Sequence, residues 1–245
     1  LAKKSRAAVF VIFYTVMNRL GFSTIGETAS AVKNLRVLWV FTHLSSADGD
    51  DATDRRITEA QIKNFMEAEL VVKNEKDVPF YAENSAALIK YGRFFDGARI
   101  GIALYGVNPV PGDKTPLLPV MTFRAAVIAI NTVKKGDFIG YSRGYRAKKD
   151  MRVAIISTGY ADGLPRALSN KGMIFCNGQF LKIVGKVSMD SVAVDAGDAD
   201  VKIMDEVVVF GDEIKVTDVA NRADTLPYEI LTGVSERVKR VYKNP

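Results

Sequence analysis

From residue 1 to about 115, short apolar runs alternate with segments whose apolar residues recur every three or four positions. The runs Val9 to Tyr14, Val37 to Thr42, Pro79 to Ala82 and Arg99 to Tyr105 read as strands, and Ser23 to Lys33, Thr58 to Val72 and Asn84 to Tyr91 as helices. Repeated strand–helix steps argue for parallel strands with covering helices. A closed eight-stranded barrel of this kind needs about 250 residues, so this segment corresponds to half of a TIM-like (β/α)8 barrel, the second half if the Ser85 and Gly101 segments hold the phosphate that such barrels often bind after their last two strands. The turn-rich stretch Asn108-Pro109-Val110-Pro111-Gly112-Asp113 ends the pattern, which places the domains at 1–115 and 116–245. Beyond it, Val120 to Val133, Asp137 to Tyr141, Arg152 to Thr158, Met173 to Phe175, Phe180 to Val184, Val187 to Val194 and Glu206 to Phe210 read as strands. Cys176-Asn177-Gly178-Gln179 is a hairpin signal, because Asn-Gly accepts the positive φ of a two-residue primed turn. The predicted fold class is therefore α/β followed by a mostly antiparallel β domain.

Lys3, Lys4 and Arg6 precede the apolar run Ala7 to Met17, an arrangement that imitates a signal peptide. The run is too short to span a bilayer, and polar Asn18-Arg19 follows where small residues would mark cleavage. It is expected to be a buried strand in a chain whose true beginning lies elsewhere. Of 245 residues, 48% are apolar and 25% charged, which is ordinary globular composition. A single cysteine, Cys176, excludes an internal disulfide and suits a reducing, cytoplasmic setting. The net charge of +6 is spread along the chain among acidic residues, which disfavours nucleic acid and leaves room for a small anionic ligand. Asp48-Gly49-Asp50-Asp51 lacks the spacing of a calcium loop. With one histidine and one cysteine, no metal site is expected.

Candidate chemistry gathers at strand ends. Ser85 opens a helix, whose first-turn N–H groups favour an anion, and Gly101, between Ile100 and Ile102 on an expected strand, can bare further N–H groups. Both fit a phosphate; a plain cap and a packing glycine are the alternative. His43 follows the strand ending at Thr42, where a barrel has its catalytic mouth. Tyr141, Tyr145, Tyr160 and Tyr228 each sit beside a glycine or proline turn. A phenol becomes a useful base when a cation lowers its pKa, and Arg99 is a candidate cation with His43 as relay.

These segments, with Met17-Asn18-Arg19-Leu20-Gly21-Phe22, Thr42 to Asp48, Asn84-Ser85-Ala86-Ala87, Arg99 to Gly106, Gly159 to Gly163, Val184 to Asp190 and Tyr228-Glu229, closely resemble alanine racemase, a pyridoxal-phosphate enzyme. The resemblance runs nearly end to end. It implies an eight-stranded barrel followed by a β domain, and a head-to-tail homodimer whose active sites hold residues of both subunits. It implies pyridoxal 5'-phosphate as cofactor and a two-base interconversion of L- and D-alanine. Tyr141 would be the catalytic tyrosine, Arg99 would face the pyridine nitrogen, and His43 would bridge them. Asn84, Ser85, the Gly101 and Ile102 amides and Tyr228 would hold the cofactor, its phosphate above all. Arg19, Met189 and Asp190 would meet the substrate, with Tyr160 at the entrance.

Two departures accompany the resemblance. The family's other base is a lysine that also binds the cofactor, in a motif resembling Lys-Ala-Asn-Ala-Tyr-Gly-His-Gly, and nothing here matches it. The chain is therefore expected to lack the first four barrel strands and to be inert alone. Many members also carry Lys-Val-Asp-Thr-Gly ahead of the Met-Asn-Arg segment, with a lysine that supports the arginine; here that run is Ile12-Phe13-Tyr14-Thr15-Val16. A serine or broader-specificity racemase, and a non-catalytic relative that binds phosphate-bearing ligands or only dimerises, are the competing readings.

Overall fold

The computed structural model describes residues 7–243, so Lys3, Lys4 and Arg6 of the signal-like start lie outside the described residues. The chain divides into two compact units, residues 1–118 and 119–245.

In the first unit, β1 (Val9–Ile12), β2 (Val37–Phe41), β3 (Phe80–Glu83) and β4 (Gly97–Ala98) pair in that order, all parallel. The connections are α1 (Ile25–Asn34), α2 (Ala52–Glu75) and α3 (Ser85–Tyr91). Thr24 starts α1 through a capping box with Glu27, which satisfies two backbone donors at once. α2 begins six residues before the expected Thr58, because the Asp51 side chain accepts from the Asp54 amide and caps it. The acidic run at 48–51 is thus the approach to a helix.

One face of this sheet is packed. Val11, Phe13, Val40, Phe80 and Ala82 share a core with Val32 of α1 and Ile62, Phe65, Ala68 and Val72 of α2. The Phe65 ring, fully buried, meets the rings of Phe13, Phe80 and Phe95; burying such a side chain contributes roughly 1.5–3 kcal/mol. The opposite face carries Phe10, which is 51% exposed and stacked on Trp39 at 3.9 Å between ring centres. Trp39 in turn meets the Tyr81 ring edge-on.

The expected strand from Arg99 to Tyr105 is not formed. Only Gly97 and Ala98 join β3, after which residues Ile102–Tyr105 wind into a single tight turn with Ile102 buried and Leu104 exposed. The cause is a competing acceptor: the Ser85 hydroxyl takes the Gly101 and Ala103 amides at 3.1 and 3.3 Å, and these leave the ladder.

The second unit holds β5 (Phe123–Val133), β6 (Phe138–Ile139), β7 (Tyr145–Arg146), β8 (Met151–Ile156), β9 (Met173–Cys176), β10 (Gln179–Lys182), β11 (Val192–Asp195) and β12 (Glu206–Phe210). Six of them form a sheet in the order β10-β9-β12-β5-β8-β11, antiparallel throughout, and β6 and β7 form a separate ribbon. Asn177 and Gly178 turn the β9–β10 hairpin at φ values of 46° and 82°. Cys176 is buried in the core, and burial pushes its thiol pKa up, which keeps it protonated.

Two expected strands are shorter than their apolar pattern. Of Val187 to Val194, only the end pairs as β11, because the Ser188 and Met189 carbonyls are taken by the Tyr160 and Ala161 amides at 3.0 and 2.9 Å. Of Asp137 to Tyr141, only Phe138 and Ile139 pair. The helices α4 (Val216–Ala223) and α5 (Pro227–Gly233) were not anticipated; both are short and neither has a side-chain cap to announce it.

Gly159 illustrates how tightly these loops are laid. A Cβ there would collide with the main chain of Ser188 and Met189, and main chain held by two hydrogen bonds cannot retreat. Gly159→Ala is expected to lower stability by roughly 1–3 kcal/mol, the usual cost of overpacking. Denaturant unfolding checks this; an unchanged midpoint would mean that the loop gives way freely.

Candidate functional site

Parallel pairing puts the C-terminal ends of β1, β2, β3 and β4 along one edge of the first unit, and the residues that follow them collect there. His43 follows β2, Asn84 and Ser85 follow β3, and Arg99 follows β4. One Arg99 terminal nitrogen, Nη2, donates to the Thr42 carbonyl at 2.6 Å and lies 3.1 Å from His43 Nδ1. Its guanidinium also sits over the Phe41 ring, 4.6 Å from the centroid. Arg99 Nε is buried and has no acceptor. Among the described residues, no carboxylate pairs with this arginine.

The pairing dictates the state of His43. A guanidinium only donates, so Nδ1 must accept, and the imidazole is neutral with its proton on Nε2. Burial, then the charges of Arg99 and Arg19, hold the His43 pKa below its ordinary value. Burial first, then Arg19, also lowers the Arg99 pKa, though a guanidinium stays charged at any physiological pH.

Arg19 is exposed, on a loop that leaves the sheet after Phe13 and returns where Phe22 bridges back to it. This loop is braced by a Tyr14 hydroxyl to Asn18 Oδ1 hydrogen bond, with Asn18 in the left-handed region at φ 50°. Gly21, at φ 131°, lies so close to the Ile12 carbonyl that a Cβ would meet it at 2.8 Å.

Ser85 is buried, is the first residue of α3, and accepts the Gly101 and Ala103 amides. It is not the cap. Asn84 is, accepting the Ala87 amide at 2.9 Å while its amide nitrogen donates to the Leu44 carbonyl at 3.2 Å. Both ends of Asn84 are thus committed to holding α3 against the loop after β2. Open space lies beside Gly101, where a Cβ would touch nothing within 4 Å.

In the second unit, Tyr141 stands 72% exposed at the tip of the loop between β6 and β7. Ser142 and Arg143 beside it hold φ values of 53° and 55°, a conformation that side chains resist. Asn170 clamps this loop: its amide donates to the Gly144 carbonyl at 2.9 Å and its carbonyl accepts the Gly185 amide at 2.7 Å. Tyr160 and Met189, both exposed, are brought together by the amide–carbonyl pairs already described, with exposed Asp190 next in sequence. Tyr228 is half exposed in the first turn of α5.

The family model described as "Alanine racemase, N-terminal domain" matches residues 1–109, and that described as "Alanine racemase, C-terminal domain" matches residues 120–242. The chain belongs to the alanine racemase family. It is 34% identical to the alanine racemase of Sorangium cellulosum over 262 aligned positions, covering 100% of this chain and 68% of that protein. With the alanine racemase of Halothermothrix orenii it shares 35% identity, covering 94% of this chain but 64% of that relative's length. Among solved structures, the alanine racemase of Streptomyces coelicolor superposes with a TM-score of 0.89 at 29% identity, over 98% of this chain and 67% of that one. That of Bartonella henselae, with covalently bound pyridoxal phosphate, gives 0.86 at 31% identity, over 98% and 68%.

Sequence reasoning passed over the residues that brace the site: Tyr14, Thr15, Gln61 and Asn170. For Gln61 a signal existed, since it shares the buried stripe of α2 with Thr58, Ile62 and Phe65.

His43 is the sole histidine, so its ring resonances are unambiguous. They are expected to titrate below about 6.5, and Arg99→Met to raise the midpoint. Because the unfolded chain binds this proton more readily, stability is expected to fall as pH drops from about 6.5 toward the folded midpoint. NMR titration with parallel unfolding curves checks both, and a midpoint at or above the ordinary value would contradict the Arg99 contact.

Proposed function

We propose that these residues form the greater part of a racemase that interconverts L- and D-alanine with pyridoxal phosphate. The observation that carries this reading is Arg99, a half-buried cation with a neutral imidazole beside it and a buried donor, Nε, that lacks an acceptor. A ring nitrogen with a free lone pair fits that donor. The Ser85 hydroxyl, the Ile102 amide and the open space beside Gly101 suit a phosphate, and the family resemblance adds the Gly101 amide and Tyr228. Bound there, pyridoxal phosphate supplies the electron-withdrawing ring that acidifies the Cα–H of an amino acid.

The chain's own groups then have distinct tasks. Arg99, charged at all working pH, keeps the ring nitrogen unprotonated, and His43 holds Arg99 in orientation. Tyr141 Oη removes or returns the Cα proton on one face. Its exposure on a clamped loop suits a phenol that acts on the first unit of a second copy, so the working assembly is a homodimer. Arg19 and the Met189 main chain, with Asp190, orient the substrate carboxylate, and Tyr160 borders the entrance. No residue matches the family's lysine motif, so the second base comes from outside these 245 residues, and the chain alone exchanges no Cα proton. The first unit is the second half of an eight-stranded barrel. The apolar face bearing Phe10 and Trp39, and the outer edge of β1, are where the other half would close. The one free cysteine suits a cytoplasmic protein.

In the full reading frame, Tyr141→Phe is expected to cut racemisation by on the order of 10²–10⁴ while cofactor absorbance is retained. Mixing that variant with Arg99→Met should restore about a quarter of normal activity, since half the dimers are mixed and each holds one intact site. Failure of any L-alanine Cα proton to exchange in heavy water would favour a non-catalytic binding protein, and preferential turnover of L-serine would favour the broader racemase.

A further inference from the structure

Gln61 has no exposed surface, yet it is polar at both ends, and every polar end is used. Its amide nitrogen donates to Thr15 Oγ1 at 2.8 Å and to the His43 carbonyl at 3.1 Å. Its carbonyl accepts the Ser45 amide at 2.9 Å and the Ser45 hydroxyl at 3.0 Å. Thr15, itself buried, shares a 2.7 Å hydrogen bond with Thr42, the residue before His43. One side chain on α2 thus ties the end of β1 to the end of β2 and grips the main chain on both sides of Leu44.

We infer that Gln61 is a positioning residue, which fixes the His43 ring against Arg99 and sets the loop of Arg19 in register with it. Two features require an amide here. A purely apolar side chain would leave the Ser45 amide and the His43 carbonyl without this partner in a partly buried setting. A carboxylate could accept from Ser45 but could not donate to a carbonyl. Position 61 is also one helical turn before Phe65, whose ring packs among Phe13, Phe80 and Phe95, so the amide is delivered from a part of α2 that is anchored in the core.

What Gln61 controls is geometry. His43 O and His43 Nδ1 belong to one residue, so restraining its main chain restrains where the ring can meet Arg99 Nη2. Thr15 lies four residues before Arg19, and its hold on Gln61 restrains where that loop departs. Arg99 and Arg19 are the two charges that act on His43. Loosening Gln61 therefore relaxes both influences together, while the fold keeps its remaining core.

The inference extends the racemase reading, and its decisive arm does not depend on it. Gln61→Met, similar in length and without hydrogen bonds, is compared with Phe65→Leu, which weakens the same helix through its core face. NMR titration of the lone histidine is carried out on each, under conditions where unfolding curves show the protein folded. Gln61→Met should move the His43 midpoint up toward about 6.5. Phe65→Leu should lower the unfolding midpoint and leave His43 where it was. If Gln61→Met does not fold, Thr15→Val takes its place; it cuts one Gln61 bond and the link to Thr42, and should shift the midpoint in the same direction by less. An unmoved His43 in the amide or threonine variant, or an equal shift in Phe65→Leu, would overturn the inference. In the full-length protein, Gln61→Met should also reduce kcat roughly tenfold or more, as slight misplacement of a site does. Full kcat with a shifted His43 would overturn the link to catalysis, whereas absence of any racemase activity in the parent protein would sink the racemase reading and leave the NMR result standing.

Discussion

Taking a guanidinium half out of water without a carboxylate is costly, and the first unit is arranged around holding one. Arg99 keeps its charge because a main-chain oxygen, an imidazole nitrogen and an aromatic face replace part of its hydration. None of these partners carries a negative charge, so the cation is screened but not neutralised. Its influence passes directly to His43, which burial and that cation together keep unprotonated. The same arrangement leaves Nε as a donor in search of an acceptor. An acid in place of His43 would pair with the arginine and remove the field that makes the position useful.

Such a cluster needs a frame that does not drift, and two devices in the first unit supply it. The parallel ladder aligns the strand ends, and hydrogen bonds made by side chains then replace the ladder where it stops. Ser85 draws in the Gly101 and Ala103 amides, Asn84 caps α3 while reaching Leu44, and Thr15, Thr42 and Gln61 close a buried polar group. Buried networks of this kind are favourable when every member is satisfied, and Gln61 is. The carboxylate of Glu83, fully buried at the end of β3, adds another by accepting the Phe94 and Phe95 amides that lead the chain toward β4.

The second unit solves a different problem, that of presenting a phenol to solvent without letting it wander. Its Tyr141 loop carries two successive side-chain-bearing residues at positive φ and is pinned by Asn170 to the bend at Gly185. Gly140 at φ 75° and Gly144 both lie against the Lys186 main chain, where a Cβ would sit at 3.2 Å from its nitrogen. Strain of this sort persists only where neighbours enforce it, and such loops serve positioning better than they serve stability.

Much of this was legible in the residues alone. Alternation and periodicity located β1, β2, β3, α1 and α3, and Asn-Gly located the β9–β10 hairpin, because in those segments local preference and tertiary demand agree. The motifs around His43, Ser85 and Arg99 marked the strand ends, since turn and cap residues cluster where ladders stop. What the sequence could not decide was where competing hydrogen bonds would defeat a pattern. Ile100, Ile102 and Leu104 alternate like a strand, yet the Ser85 hydroxyl, sixteen positions before Gly101, claims the amides that a ladder would use. Ser188 and Met189 likewise spend their carbonyls on the segment at Tyr160. The state of His43 and the role of Gln61 were decided only in three dimensions, because each depends on partners 16 to 56 positions away whose approach no local preference encodes.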